Sequence, residues 1–507
     1  PPGTFTTKDA LKTAVQAYDA DVASAEATYG PIADWDVSAI SDMSGLFSGL
    51  QNFNANVSSW NTSGVTDMSF TFGGSDTGNG ATAFNQPLSF DTSSVTDMRG
   101  IFAGASAFNQ PLHFDTSSVT DMSGMFAGAS AFDQLLHFDT SNVIFMRSMF
   151  DGATAFNQPL SDDVSNVTTA RGALSPMGAV SGQPLRFDTS KVNDMRGMFR
   201  GAAAFNQPLR FATPSVTDMS GMFQGALVFN SPLSFDVEVV ATGRRALLST
   251  GARRPHFDTS SVTDMRAMFA GAVAFNQPLR FATPSVTDMS GMFQGALVFN
   301  QPLSCDVEVV ATGRRALLST GARRPHFDTS SVTDMSAMFA GAVAFNQPLS
   351  FDTSSVTSIR GMFLGAVAFN SPLSFGVKVV ATGRRALLSA VRSPRELSAG
   401  APALDEQPSL ATANVNDMAD MFNGATAFNQ PLDFDTSGVT DMSVMFAVRS
   451  SPCPAPYLQS SPPLHATCAR CLRRGRPPPP TFQPARRPAP FALLSTLGSM
   501  RRRSTSC

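Results

Sequence analysis

FDTSSVTDMRGIFAGASAFNQPL (Phe90–Leu112), FDTSSVTDMSGMFAGASAFDQLL (Phe114–Leu136) and FDTSNVIFMRSMFDGATAFNQPL (Phe138–Leu160) follow one another with a period of 24 residues. The unit returns at Phe187, Phe211, Phe257, Phe281, Phe327, Phe351 and Phe434. Variants open at Trp35 and Trp60, a worn copy runs from Asn414 to Phe422, and a decayed one lies around Val164 to Met177. Self-similarity at a fixed period decides the architecture before any element is assigned. One copy offers Phe108, Leu112, Phe114, Val119, Met122, Met125 and Phe126 as its apolar set. Buried alone, so short a unit cannot offset the entropy of ordering its chain. Stacked copies cover one another's apolar flanks and share a backbone hydrogen-bond ladder, so the repeats must stack.

Inside the unit two patterns compete. Val119, Met122, Met125/Phe126 and Ala129 recur at helical spacing, with Ser118-Val119-Thr120-Asp121 as a capping box and Gly128 as a stop. Phe108, Gln110, Leu112 and Phe114 alternate as in a strand, which Pro111 would hold to positions after itself. The expectation is a short parallel strand at Leu112–Phe114, a turn at Asp115-Thr116-Ser117 and a helical or 3-10 turn over 123–129. Val119–Met122 reads equally as a second strand or a helix start. Thr120, Ser123 and Gln110 read as outward positions.

Composition agrees with a copied unit. The chain holds 42 Phe and 24 Met but only 2 Trp and 3 Tyr, too narrow a skew for several unrelated globular domains. Five Cys, an odd number, give no disulfide framework. No run of apolar residues is long enough to cross a membrane as a helix. The sequence opens Pro1-Pro2-Gly3, without Met or a signal-like segment, and reads as truncated at that end.

The core FNQPLSFDTSSVTDMSGMF resembles the repeat of the BspA-like leucine-rich-repeat surface proteins, the mycoplasma-type lipoprotein repeat. Trp35-Asp36-Val37-Ser38 and Trp60-Asn61-Thr62-Ser63 keep the tryptophan typical of that repeat, which later copies replace with Phe. Lys8 to Ile32 resembles the lead-in that precedes such arrays, and Leu11, Val15 and Tyr18 suit one amphipathic helix capping the first coil. The resemblance implies an LRR-like tandem-repeat solenoid and a surface-exposed or secreted binding role, with no single shared ligand.

The expected organisation is a lead-in (1–33) followed by repeats at 34–236, 257–306, 327–376 and 410–446. Basic inserts separate them at 237–256 and 307–326, with a diverged one at 377–409, and a Pro/Arg-rich tail expected to be disordered covers 447–507. VEVVATGRRALLSTGARRPH occurs identically at Val237–His256 and Val307–His326, and ALLST and ARRP recur in the tail. Inserts and tail read as sequence not selected as repeat, such as retained introns or a shifted frame. The alternative is a basic loop that binds something acidic. The tail contains ten Arg and no Asp or Glu, so the rest of the chain is strongly acidic.

No chemical constellation stands out. His113, His137, His256 and His326 each precede the Phe of a unit, so the repeat and not a catalytic partner sets their place. There is no nucleophile elbow and no phosphate loop, and no catalytic residue or cofactor is expected. Two Asp registers, Asp97 and Asp121 in one and Asp91 and Asp115 in the other, would form like-charge columns in a stack. They read first as turn caps and more weakly as calcium ligands. His465, Cys468 and Cys471 lack the second Cys pair a zinc site needs. Arg473-Arg474-Gly475-Arg476 and Arg501–Arg503 read as a solvated tail, with no nucleic-acid partner expected. Cys305, where the duplicated block has Phe235, reads as a point change in the core. Asn56, Asn61 and Asn166 head glycosylation-type triplets. Together these features suggest a non-enzymatic scaffold at the cell surface or outside it that binds protein or glycan. The runners-up are an intracellular interaction solenoid and a repeat region appended to an enzyme.

Overall fold

Each coil is shaped by alternation along Met122–Ala129, where even-numbered N–H groups leave the coil and odd-numbered ones turn back into it. In the computed structural model, Met122, Gly124, Phe126 and Gly128 donate to the carbonyls of Phe145, Arg147, Met149 and Asp151 on the next coil, at 3.0, 2.8, 2.9 and 2.6 Å. Met125, Ala127 and Ala129 donate to Met122, Gly124 and Phe126 of their own coil, at 3.2, 2.9 and 3.1 Å. The expected helical turn over 123–129 is therefore a run of β-turns. The reason is local. Gly124 and Gly128 sit at φ +61° and +70°, where a right-handed helix cannot propagate.

The structure describes residues 3–74, 80–160, 188–209, 211–233, 258–279, 281, 283–303, 327–375, 412–432 and 434–447, all within the unit Pro1–Ala466. The inserts and tail expected at 237–256, 307–326, 377–409 and 448–507 lie outside them. So do the decayed copy, His256, His326, Cys305, Asn166 and the His465–Cys471 segment. Ala447, assigned to the tail from sequence, belongs to the last coil: its N–H donates to Val444 and its carbonyl accepts from Gly424.

A ladder of single parallel bridges links the coils. It begins Asp42↔Asp67, Asp67↔Asp97, Asp97↔Asp121, Asp121↔Phe145 and continues to Asp417↔Asp441. This resolves the Val119–Met122 ambiguity, because Asp121 is bridged as a strand residue and no helix starts there. Ser118 does not act as a helix cap either; its hydroxyl donates to the Ser93 carbonyl of the preceding coil. Phe145 pairs directly with Asp194, Asp218 with Asp264, Asp288 with Asp334 and Ser358 with Asp417. The coils on either side of the decayed copy and of each insert are thus bridged to one another directly. The strand expected at Leu112–Phe114 does not form; at that register the described residues hold one regular parallel pair, β1 (Leu349–Phe351) and β2 (Leu373–Phe375).

The core is a pair of aromatic columns. Phe102, Phe126, Phe150 and Phe199 stack between coils at 5.6–5.7 Å, and Phe108, Phe132, Phe156 and Phe205 do so at 6.0 Å. Within a coil the two columns touch at 4.0 Å, as in Phe102–Phe108 and Phe126–Phe132. Offset stacking of this kind adds to the burial of each ring. Val119, Met122 and Met125 and their counterparts in other copies fill the rest of the section.

The lead-in is two helices and not one. Helix α1 (Lys8–Ala20) buries Leu11, Ala14 and Val15, and α2 (Val22–Tyr29) follows after Asp21. Asp21 has extended backbone (φ −156°), and its carboxylate accepts from the Ser24 N–H, so it ends one helix and caps the next. The 3-10 turn Ile32–Asp34 leads into the first coil. The indole N–H groups of Trp35 and Trp60 donate to the carbonyls of Gly30 and Ile32, each at 2.9 Å. Tryptophan is thus kept where the lead-in supplies an acceptor, and Phe serves where none is needed.

A test follows from the assigned interior. Met125 is fully buried, so Met125→Asp should cost several kcal/mol and lower the melting temperature sharply. Thr120→Ala removes one exposed 3.3 Å hydrogen bond to Thr96 and should cost at most about 1 kcal/mol. Equal melting temperatures for the two variants would show the inside and outside to be misassigned.

Candidate functional site

Most polar side chains in the coil hold coils together. Asn54, Asn85, Asn109, Asp133, Asn157 and Asn206 form a column in which each side-chain oxygen accepts the backbone N–H of the next member at about 2.9 Å. Gln110 donates to both oxygens of Asn85, so it is half-buried and tied to its neighbour instead of facing outward freely. Thr92, Thr116 and Thr140 are buried, and each hydroxyl donates to a carbonyl of the next coil at 2.8–2.9 Å. Ser123, another expected outward residue, is buried at 4% exposure. Thr120 alone of the three is exposed. The FNQPL and FDT signatures show apolar spacing in the sequence, and the roles of their polar members become legible only once the coils are stacked.

The two Asp registers act as caps. Asp121 accepts from the Ser123 N–H at 2.7 Å, Asp97 from Arg99 at 2.9 Å, and Asp91 and Asp115 from the N–H and hydroxyl of Ser93 and Ser117. These hydroxyl and amide bonds hold the Asp91 carboxyl below its ordinary pKa. Burial pushes Asp97 and Asp264 up, opposed by the neighbouring arginine and reinforced by the Asp above and below. Arginine relieves the column at intervals. Arg196 reaches Asp194 and Asp218, and Arg266 reaches Asp264 and Asp288. Among the described residues no group of three or more His, Cys, Asp or Glu is placed to hold a metal ion. His113 and His137 stand exposed on the coil surface, each beside its buried Phe.

One coil places a large apolar residue where most others place the bridged aspartate, Ser358 being the other exception among the described residues. Ile144-Phe145-Met146-Arg147 stands where the preceding copy has Thr120-Asp121-Met122-Ser123, and Ile144 and Phe145 are 36% and 40% exposed. Phe145 keeps its place in the bridge ladder but supplies no carboxylate. Arg99, Arg196 and Arg266 each pair with the Asp two residues before them. Arg147 lacks that partner, and among the described residues its guanidinium has no other. At the register of Gly124, the residues Ser148, Gly197, Gly221 and Ala267 are all left-handed, at φ +54°, +58°, +59° and +50°. With Arg147, Arg196, Arg200, Arg266 and Gln224 they line an open cleft of about 470 Å³. The substitutions at 144–147 stand in the sequence of the copy that opens at Phe138, but nothing there singled them out. Nor was their meeting with Arg196, Arg200 and Arg266 legible there, because Phe145 and Asp194 become neighbours only in the stack.

Stacked coils closed by side-chain ladders define a tandem-repeat protein. The family model described as "Mycoplasma protein of unknown function, DUF285" matches residues 17–113, 75–185, 172–252, 248–315, 325–397 and 403–451. The chain belongs to that family. No curated protein and no solved structure matches it.

The half-buried Asp column offers a direct test. A carboxyl whose folded pKa is raised opposes folding when ionised, and that penalty is relieved as pH falls through the raised value. Asp264→Asn keeps an oxygen for the Arg266 cap, so its melting temperature should match or exceed wild type at neutral pH. Its advantage should shrink on acidification. A clear loss at neutral pH would mean the half-exposed Arg266 pair outweighs desolvation. Added calcium should leave both proteins' melting temperatures unchanged if the columns are caps only.

Proposed function

We propose that this chain is a non-enzymatic binding scaffold, an LRR-like solenoid of the BspA type that acts at the cell surface or outside the cell on a protein or glycan ligand. The observation that carries the reading is the use of polar side chains. Asn, Gln and Thr of successive copies hold coils together, Asp caps turns within a coil, and the coil that departs from the repeat turns unpaired and apolar groups outward beside a cleft. Repeat proteins recognise partners by such variation on a uniform frame. Among the described residues no helix is long and apolar enough to cross a membrane.

The test is binding by the full chain to panels of immobilised glycans and proteins, together with fractionation of the cells that make it. Saturable binding is expected, and ligand at a hundred times Kd should stabilise the fold by about 2.7 kcal/mol. Retention in the cytosol without any captured ligand would overturn the reading.

A further inference from the structure

We propose that the cleft beside Phe145 binds an acidic polysaccharide, with Arg147 as the main contact for its carboxylate or sulfate groups and Phe145 and Ile144 as an apolar flank for the sugar rings. The proposal rests on the binding-scaffold reading and narrows it to one site and one ligand class. Three observations carry it.

The first is charge. Phe145 stands where the coils of Arg99, Arg196 and Arg266 place the Asp that neutralises the arginine two residues on, so Arg147 is left as a cation without a partner among the described residues. Arg196, Arg200 and Arg266 line the same cleft, with side chains 45%, 53% and 54% exposed. Their partners Asp194, Asp151 and Asp264 are only 15–21% exposed, while the guanidinium groups stand about half out in solvent. A guanidinium has five N–H donors, so donors remain for an anion beyond those the aspartates occupy.

The second is the floor. The N–H groups of Ser148, Gly197, Gly221 and Ala267 donate to Arg196, Ser220, Arg266 and Ser290, and their carbonyls accept from Asp151, Arg200, Gln224 and Ala270. An extended peptide would therefore find no backbone edge on which to add a strand. Recognition falls to guanidinium, hydroxyl and amide groups, which suits a chain that presents carboxylates and hydroxyls along its length.

The third is extent. The floor continues through neighbouring coils with small residues, and upstream it meets Phe70, itself left-handed, whose ring lies against Gly100 and under the Arg99 guanidinium at 5.8 Å. The cleft lies beyond Phe70 and spans the four coils of Arg147, Arg196, Gly221 and Arg266, as a linear polymer requires.

The experiment measures binding of the full chain to polygalacturonate, dextran sulfate, neutral dextran and polyglutamate at increasing salt. Retention by one or both acidic polysaccharides, weakened by salt, is expected, and which one binds separates carboxylate from sulfate. Arg147→Ala should weaken it about tenfold, the scale of one charged hydrogen bond. Phe145→Asp restores the residue other coils carry, so it should fold as wild type by circular dichroism and bind as poorly as Arg147→Ala. Arg99→Ala, outside the cleft, should bind normally. The proposal is overturned if wild type binds neither acidic polysaccharide, binds dextran equally, or is unaffected by both cleft variants. Equal binding of polyglutamate with the same dependence on Arg147 would overturn the glycan assignment. A ligand captured in the broader panel with no dependence on Arg147 would sink this site and leave the scaffold reading standing.

Discussion

Everything in this fold depends on the alternate N–H groups of each coil crossing to the next. Met122, Gly124, Phe126 and Gly128 donate forward while the residues between them turn back, so each coil is both the acceptor for one neighbour and the donor to another. The pattern works only if consecutive coils follow the same path. That in turn fixes left-handed residues at 124 and 128 and their counterparts. The near-identity of copies is a mechanical condition of the stack as much as a relic of duplication.

The same condition explains why the polar positions scarcely vary. A buried N–H without an acceptor is costly, and each Asn of the FNQPL signature supplies the acceptor for the copy after it. The buried Thr of FDT does the reverse, sending a donor into a carbonyl of the next coil. Side-chain specificity at these positions comes from coil-to-coil satisfaction, which leaves departures from the pattern as the places where the surface acquires a character of its own. Left-handed Ser148, Ala267 and Phe70, where other copies have Gly, show that the backbone path is imposed even on residues that resist it.

The ladder also tolerates interruption. Asp218 bridges Asp264 and Ser358 bridges Asp417 as directly as coils one period apart. Since closing a longer loop adds entropy only slowly with length, an insert between two intact coils need not break their pairing. Coil identity, and not sequence distance, decides which coils meet.

By itself the sequence determined the 24-residue period, the stacking it requires and the apolar interior of Phe, Val and Met, because burial and periodicity are written residue by residue. It also placed the turn at Asp115–Ser117 and the capping role of aspartates whose partners lie two residues away. What it could not decide was the nature of 123–129, since helical spacing and a chain of turns bury the same residues, and the glycine dihedrals alone separate them. Nor could it assign Gln110, Thr116 or Asn109, or bring Arg147 to Arg196 and Arg266, because their partners belong to other coils and exist only once the stack has formed.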